Sequence, residues 1–479
     1  MSISSFSIPE LPGAEPRLRR RYHRLVVSHL PPADRVAAGP RVPPGLGTSF
    51  AATQAAWRFY ANPGVSLPQL AKPLLDCAAG AVAGSCDAHV LVALDWSPLH
   101  YNGHGSKGDR VALSNRNDLG YELLTALALG DRDGSPLAPL CLELRAADGV
   151  HSTRGERVLP ARSPLDALGP VMRHAAALPA LAGTPGTLES AKPPVLPVFL
   201  VDRQGDSVGH YRRWDKAGRL FVVRADDAPR AVHEGAHRPL GEVADRLKRE
   251  GALADAGPVL FRGVPARQFV AEAEVVLRRP ARTQRVDKKT GKPRHRNVRG
   301  RPVALRLVVS EVRDPDTGGV LARWLLLTNL PASGPGAVPA ARVALWYYWR
   351  WRIESYHKLL KGAGQHAECW QQETAAALAR RLAVAAMAAV VVWRLARDDS
   401  PAAGELRGVL VRLSGRQMKR GKGGKGPDGT PARGFTEPAL MAGLGVLLPM
   451  LELLNTHDPD DLRRLAEAAL PGIVRRDGG

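Results

Sequence analysis

Tyr347, Arg350, Glu354, Lys358 and Lys361 are spaced three, four, four and three residues apart. At about 100° per residue they form one narrow stripe on a helix. Leu345, Trp349, Ile353, Tyr356 and Leu360 fall opposite, where burial suits them. One face therefore packs, and the other carries a single carboxylate among cations. Bound DNA would repel that carboxylate unless a divalent cation stood between it and a phosphate. The stripe equally fits a solvated face laced by ion pairs, Arg350 with Glu354 and Glu354 with Lys358. Two more carboxylates weigh against that plainer reading. Asp95 follows the apolar run Val90-Leu91-Val92-Ala93-Leu94, and Asp202 follows the run from Val195 to Val201. An aspartate after a strand commonly caps a helix or makes a turn. Three carboxylates on rigid elements can instead bind two hard cations through oxygen. Two such ions suit phosphoryl transfer, activating the attacking oxygen and stabilising the leaving one.

The elements that would position these residues follow an α/β pattern. Pro16 to Leu30 predicts a basic helix carrying Arg17, Arg19, Arg20, Arg21 and Arg24. A Pro/Gly-rich connector, Pro31 to Gly47, leads to a second helix. Ser49 could cap it, it passes Trp57, Arg58 and Tyr60, and Asn62-Pro63-Gly64 stops it. Such a pair suits a small DNA-binding module or an ordinary helical hairpin. Leu123 to Leu129 and Leu137 to Leu144 form a hairpin around Gly130 to Ser135. A helix over Ser163 to Leu181, a strand to Val201, a helix begun within Asp206 to Asp215 and a strand Leu220 to Arg224 follow. This order resembles that of an RNase H-like core. From Asp226 to Leu330 the pattern is of mixed strands. Its middle, Arg278 to Arg301, holds eleven Lys/Arg and one Asp, reads as a basic hairpin loop, and favours phosphate contact over a merely solvated loop. Arg323 to Thr328 brings the chain back to the core. A second long helix covers Thr374 to Arg397, Gly415 to Gly434 is Gly- and Lys/Arg-rich and reads as flexible, and Phe435 to Leu470 is helical.

A formal net charge of +21 over 479 residues predicts a polyanionic partner, most simply nucleic acid. An acidic membrane surface is the rival explanation of that charge; the best apolar run, Leu382 to Trp393, is too short to span a bilayer and reads as a buried helix, and no membrane partner is expected. The N-terminus lacks a basic segment followed by an apolar one. Cys77, Cys86, Cys141 and Cys369 have no zinc-type spacing and suit reduced thiols in a cytoplasm.

Several segments together resemble the bacterial insertion-sequence DDE transposases. Tyr347-x2-Arg350-x3-Glu354-x6-Lys361 is similar to their YREK signature. Asp202-Arg203-Gln204-Gly205-Asp206 is similar to the DRExD segment at the second catalytic aspartate, with Gln204 in place of its Glu. Leu94-Asp95-Trp96-Ser97 resembles the segment at the first. Ala55 to Pro63 resembles the N-terminal DNA-binding module, and Trp324 to Thr328 a strand of the β-insertion. The resemblance spans residues 16 to 400. It implies an RNase H-like core (76–225 and 331–400) with an inserted β-rich subdomain (226–330), a helical DNA-binding module (1–75) and a helical, dimerising C-terminal region (401–479).

The resemblance also implies roles. Asp95, Asp202 and Glu354 would ligate two Mg²⁺ ions, replaceable by Mn²⁺. Tyr347, Arg350 and Lys361, with Lys358 beside them, would hold the terminal phosphate of the transposon end. Arg224 would contact DNA near the cleavage point, and Trp324 would stack on a base displaced in a hairpin or else be a plain core tryptophan. Arg20, Arg21 and Arg58 would help read the terminal inverted repeat. The implied activity is cut-and-paste transposition by a homodimer on double-stranded DNA, in the cytoplasm with the nucleoid. A catalytically silent DNA-binding repressor, a Mg²⁺-dependent structure-selective nuclease and a basic scaffold are the other classes the sequence leaves open.

Overall fold

The computed structural model describes residues 8–32, 49–178, 195–286, 293–415 and 435–469. Most of the connector before Ser49, the link before Val195, the tip of the basic block and the Gly/Lys-rich segment after Gly415 lie outside the described residues. Three helices open the chain: α1 (Pro16–Ser28), α2 (Ser49–Ala61) and α3 (Leu67–Ser85). The sequence reading missed α3. Its start is written locally, in the Ser66 hydroxyl that accepts from Gln69 N–H and in the proline of its first turn. Then come β1 (His89–His100), β2 (Val111–Ala112), β3 (Leu119–Gly130), β4 (Pro136–Ala146), β5 (Gly149–Ser152), β6 (Glu156–Val158) and α4 (Pro164–Ala176). Next are β7 (Leu196–Val201), α5 (Val208–Lys216), β8 (Leu220–Ala225), β9 (Arg230–His233), β10 (Ala236–Pro239), α6 (Leu240–Arg249), β11 (Ala254–Phe261), β12 (Val264–Leu277), β13 (Ala281–Val286) and β14 (Pro293–Val298). The chain closes with β15 (Val303–Arg313), β16 (Val320–Thr328), α7 (Ala340–Trp349), α8 (Arg352–Leu360), α9 (Ala375–Arg397), α10 (Pro401–Leu413), α11 (Glu437–Thr456) and α12 (Pro459–Ala469).

The fold is α/β, built on one mixed sheet. Its strands run β10-β9-β12-β15-β16-β8-β7-β1-β3-β4-β5-β6. β1 pairs antiparallel with β3, which pairs antiparallel with β4; on its other edge β1 pairs parallel with β7, and β7 with β8. The central strands are apolar on both faces, as a doubly covered sheet requires. Strands of the 226–330 segment continue this sheet, because β16 adds antiparallel to β8, with Leu326 opposite Arg224. The basic block is a true hairpin: β13 and β14 pair as a separate two-stranded ribbon.

Among the described residues two helices pass the length and apolarity needed to cross a bilayer, which corrects the expectation that none would. α9 spends that apolarity on the interior: 89% of its most apolar stretch is buried. For α11 the share is 28%, and Val446, Met450, Leu451 and Leu454 are exposed along it. The sequence run had seemed too short because Arg380 and Arg381 interrupt it. Both are buried, Arg380 donating to Val65 O and Arg381 lying over the Trp370 ring.

One turn locks the helix pair α7–α8 to the sheet. Gly134, in the β3–β4 hairpin, has φ +65°, and a Cβ there would sit 2.3 Å from the Trp349 ring. Trp346 adds a hydrogen bond to Asp131 O. Gly134→Ala combines left-handed strain with overpacking and should cost about 3 kcal/mol. Urea unfolding would check this; a loss below about 0.5 kcal/mol, the level of a neutral surface change, would show that the turn does not anchor α7.

Candidate functional site

β1 and β7 run side by side until Leu94 faces Val201. There β7 ends, so Asp95 and Asp202, the next residue on each strand, come out together. Asp95 does not end its strand, as the sequence had suggested. β1 runs on to His100 because β3 keeps pairing with it, Asp95 opposite Thr125. Only the parallel partner stops at this level. Asp202 caps a single 3₁₀ turn, Arg203–Gly205, by accepting from Gln204 N–H at 2.9 Å. It is thus both a cap and a neighbour of Asp95. Asp206, in the same segment, is engaged elsewhere: it accepts from Arg279 at 2.6 Å and from the Tyr211 hydroxyl at 3.0 Å.

Glu354 arrives on α8. The expected continuous helix is broken at Arg350–Trp351, where the chain tightens to three-residue hydrogen bonds, Arg350 N–H to Tyr347 O and Glu354 N–H to Trp351 O. The apolar side behaves as its spacing predicts, with Trp349, Ile353, Tyr356 and Leu360 buried. The polar stripe does not. Tyr347 is 1% exposed and Arg350 6%, so this is no solvated face. α8 is seated on β1 and β3 by His357, whose Nε2 lies 3.2 Å from the Thr125 hydroxyl. Burial lowers the His357 pKa to about 3, which keeps this contact uncharged near neutrality. Nothing in the sequence singled out Thr125; only the register places it opposite Asp95.

Arg350 joins the carboxylates. Its guanidinium reaches Asp95 at 3.3 Å and Glu354 at 2.8 Å. Burial works against its charge, but Tyr347, Asp95, Glu354 and Asp202 outweigh it, and its pKa is raised. Its Nε is buried without a hydrogen-bond partner. The Asp95 carboxyl is pushed up to about 6, first by burial; Arg350 pulls it down, Asp202 and Glu354 push it up, and Trp96 N–H pulls it down. Asp95 and Glu354 thus share one cation, with Asp202 near enough to act on its charge. Among the described residues no three His, Cys, Asp or Glu side chains form a ready-made metal site. The donor type fits a hard divalent ion, but the space between Asp95 and Glu354 holds a guanidinium.

The other expected residues divide. Tyr347 packs edge-on against Trp324 at 6.0 Å, beneath Arg350 at 5.7 Å. Trp324 is 4% exposed, ringed by Tyr347, Tyr348 and Phe261. It is a core residue as it stands, which fits the plain core reading of this tryptophan. Arg224, on β8, is close enough to Tyr347 to depress its hydroxyl pKa, although burial leaves that pKa raised. Lys361 ends α8 and donates to Pro98 O, with Glu368 at 3.6 Å, so it braces the strand beyond Asp95. Lys358 is exposed. Arg20 and Arg58 are exposed on α1 and α2, Arg21 half-buried on α1. Among the described residues no hydrogen bond or ion pair ties these three to the carboxylate cluster.

Gln365 was not foreseen. It is buried in the loop after α8, donates to His29 O and pairs with the His29 ring. It thereby ties the end of α1 to the segment that carries Glu354. No protein-family model matches the chain.

The Asp95 shift has a sign that can be tested without any metal. Its folded pKa of about 6 lies above the unfolded value of about 3.9. The folded chain therefore binds this proton more tightly, and Asp95 costs stability as pH rises from about 4 to about 6, reaching on the order of 3 kcal/mol above that. Asp95→Asn should remove the cost. In EDTA, its gain in unfolding free energy over wild type should be small at pH 4 and largest at pH 7.5. A gain that does not change with pH would contradict the shift.

Proposed function

We propose that the chain is a metal-dependent DNA transposase that moves its own insertion sequence by cut-and-paste phosphoryl transfer. One observation carries the reading: Asp95 and Asp202 emerge together where parallel strands β1 and β7 part, and the guanidinium that holds Asp95 also holds Glu354 from α8. Supporting it is the strand order β4-β3-β1-β7-β8, three antiparallel strands followed by two parallel to the first, the order of an RNase H-like core. Ligands of open α/β sheets gather at the carboxyl ends of strands, and both aspartates lie at the level where β7 ends. The charge of +21 supports a DNA partner.

Asp95, Asp202 and Glu354 would hold two divalent cations, Mg²⁺ or Mn²⁺. When bound, these would supply Lewis-acid stabilisation of the attacking and leaving oxygens. The chain's own residues set the stage. Arg350 exchanges its carboxylate partners for a DNA phosphate, a singly charged bidentate partner, and so frees the carboxylates as substrate arrives. Tyr347 supports it from beneath, while Arg224, Lys358 and Lys361 add charge around the phosphate. Water first displaces one 3′ oxygen at the transposon end. The freed 3′-OH attacks the opposite strand, water reopens the resulting hairpin, and the same 3′-OH joins target DNA. Each step exchanges one P–O bond for another, with no covalent enzyme intermediate. The α1 and α2 arginines read the inverted repeat, and two chains bring two ends together. The exposed apolar stretch of α11 suits that pairing.

A silent DNA-binding repressor or a nuclease that cuts without joining would share the basic surface. The test uses DNA carrying the ends that flank the gene, incubated with Mg²⁺ or EDTA and resolved on a denaturing gel. Wild type should cut at the repeat boundary only with Mg²⁺ and then join ends to a target plasmid. Glu354→Ala should bind the ends within about twofold of wild type yet cut at least about a hundredfold more slowly, the size of loss expected when a transition-state interaction goes. Binding without cutting in both proteins would favour the repressor, and cutting without joined product the nuclease.

A further inference from the structure

Strand alternation puts Trp96 on the sheet face opposite Asp95. A groove of about 1020 Å³ opens on that reverse face. Its floor is Trp96 with neighbouring residues of β3 and β4, and its walls are the starts of α4 and α5. α8 is on the other face, where Thr125 opposes Asp95 and contacts His357.

The groove is lined by Arg145, Arg154, Arg162, Arg213 and Arg282, against three carboxylates, Glu122, Glu143 and Asp166. Each carboxylate already has an arginine. Arg145 donates to Glu122 through Nε at 3.0 Å, Arg154 to Glu143 through Nε at 2.6 Å, and Arg213 to Asp166 at 2.9 Å. A guanidinium bound through Nε still presents Nη donors to a second acceptor. Arg162 and Arg282 are exposed and have no carboxylate of their own in the lining. His210, also lining the groove, has its pKa lowered to about 4, by burial and by Arg213 against the pull of Asp166, and so adds no charge near neutrality.

Arg282 also belongs to β13, the first strand of the basic ribbon. That ribbon is clamped at the groove. Arg212 of α5 donates to Arg279 O at 2.8 Å and Arg301 O at 2.6 Å, and Arg301 pairs with Asp215. The basic lining therefore leads, through Arg282, into a ribbon whose sequence is rich in Lys and Arg, an arrangement that suits an extended polyanion better than a small one.

We propose that this reverse-face groove, continued by the β13–β14 ribbon, is a second binding track for the phosphodiester backbone of duplex DNA, separate from the carboxylate site. The inference rests on the DNA-binding part of the proposed function but not on its catalytic part. Binding of a fluorescent 30-base-pair duplex would be measured by anisotropy across a salt series, for wild type, Arg162→Ala/Arg282→Ala and Arg162→Glu. Losing two phosphate contacts should make the slope of log Kobs against log salt shallower by about 1.8, at roughly 0.9 per contact. Arg162→Glu should weaken binding at low salt, with an unchanged melting temperature. An unchanged slope and affinity in both variants would overturn the groove. Displacement of the duplex from wild type by millimolar inorganic phosphate, with no slope change in the double variant, would mark a small-anion site and overturn the DNA track. Cleavage by wild type with an unchanged slope would leave the catalytic reading standing alone. A reduced slope without cleavage would leave the groove standing alone, and no binding of duplex by wild type would overturn both.

Discussion

A buried guanidinium sets the terms for the rest of this structure. Arg350 stands between Asp95 and Glu354 with Asp202 close enough to affect it. Removing a charge this buried from water costs several kcal/mol, and only well-placed partners repay it. The carboxylates face the same constraint from the other side, because three negative charges gathered at a half-buried strand end need a cation. Each supplies what the other lacks, and the unpartnered Nε shows that the match is incomplete. A cluster held by one replaceable cation is suited to exchanging it for another when a phosphate competes for the arginine.

The frame around Arg350 is rigid, so the exchange can be local. β1 is paired on both edges up to Leu94 and on one edge beyond it. α7 is pinned at Trp349 by the Gly134 turn, and α8 by His357 on Thr125. The break at Arg350–Trp351 lies between these anchors. It turns Tyr347 and Arg350 inward to the strand ends while leaving Lys358 outside. The reverse face of the same sheet carries the arginine groove, so one sheet separates the carboxylate cluster from a surface where arginines outnumber carboxylates.

The parts of the site legible in the sequence were those written in short-range pattern. The apolar runs before Asp95 and Asp202 marked strands, and the spacing from Tyr347 to Lys361 marked a helix with one packed side. Depth was not legible. Helical spacing says which residues share a face but not whether that face meets water, so the burial of Tyr347 and Arg350 could not be read from it. The run Trp324 to Thr328 could not tell a core tryptophan from a platform, because the deciding neighbours, Phe261 and Tyr348, come from distant segments. The continuation of β1 past Asp95 depends on β3, and the pairing of β16 with β8 on a return more than ninety residues later. The extent of α9 was legible, but Arg380 and Arg381 cut short its apolar run, since buried cations satisfied by distant carbonyls and rings look like surface residues in sequence.

Direct measurement of divalent ion binding tests the central claim most closely. Mn²⁺ would be titrated into the full chain by electron paramagnetic resonance, with and without duplex DNA bearing the flanking ends. If Arg350 holds the carboxylates until a phosphate takes its place, Mn²⁺ should bind weakly to the free chain. It should bind as two ions per chain in the DNA complex, and Asp95→Asn should abolish that gain. Equal Mn²⁺ binding with and without DNA, indifferent to Asp95→Asn, would contradict the account.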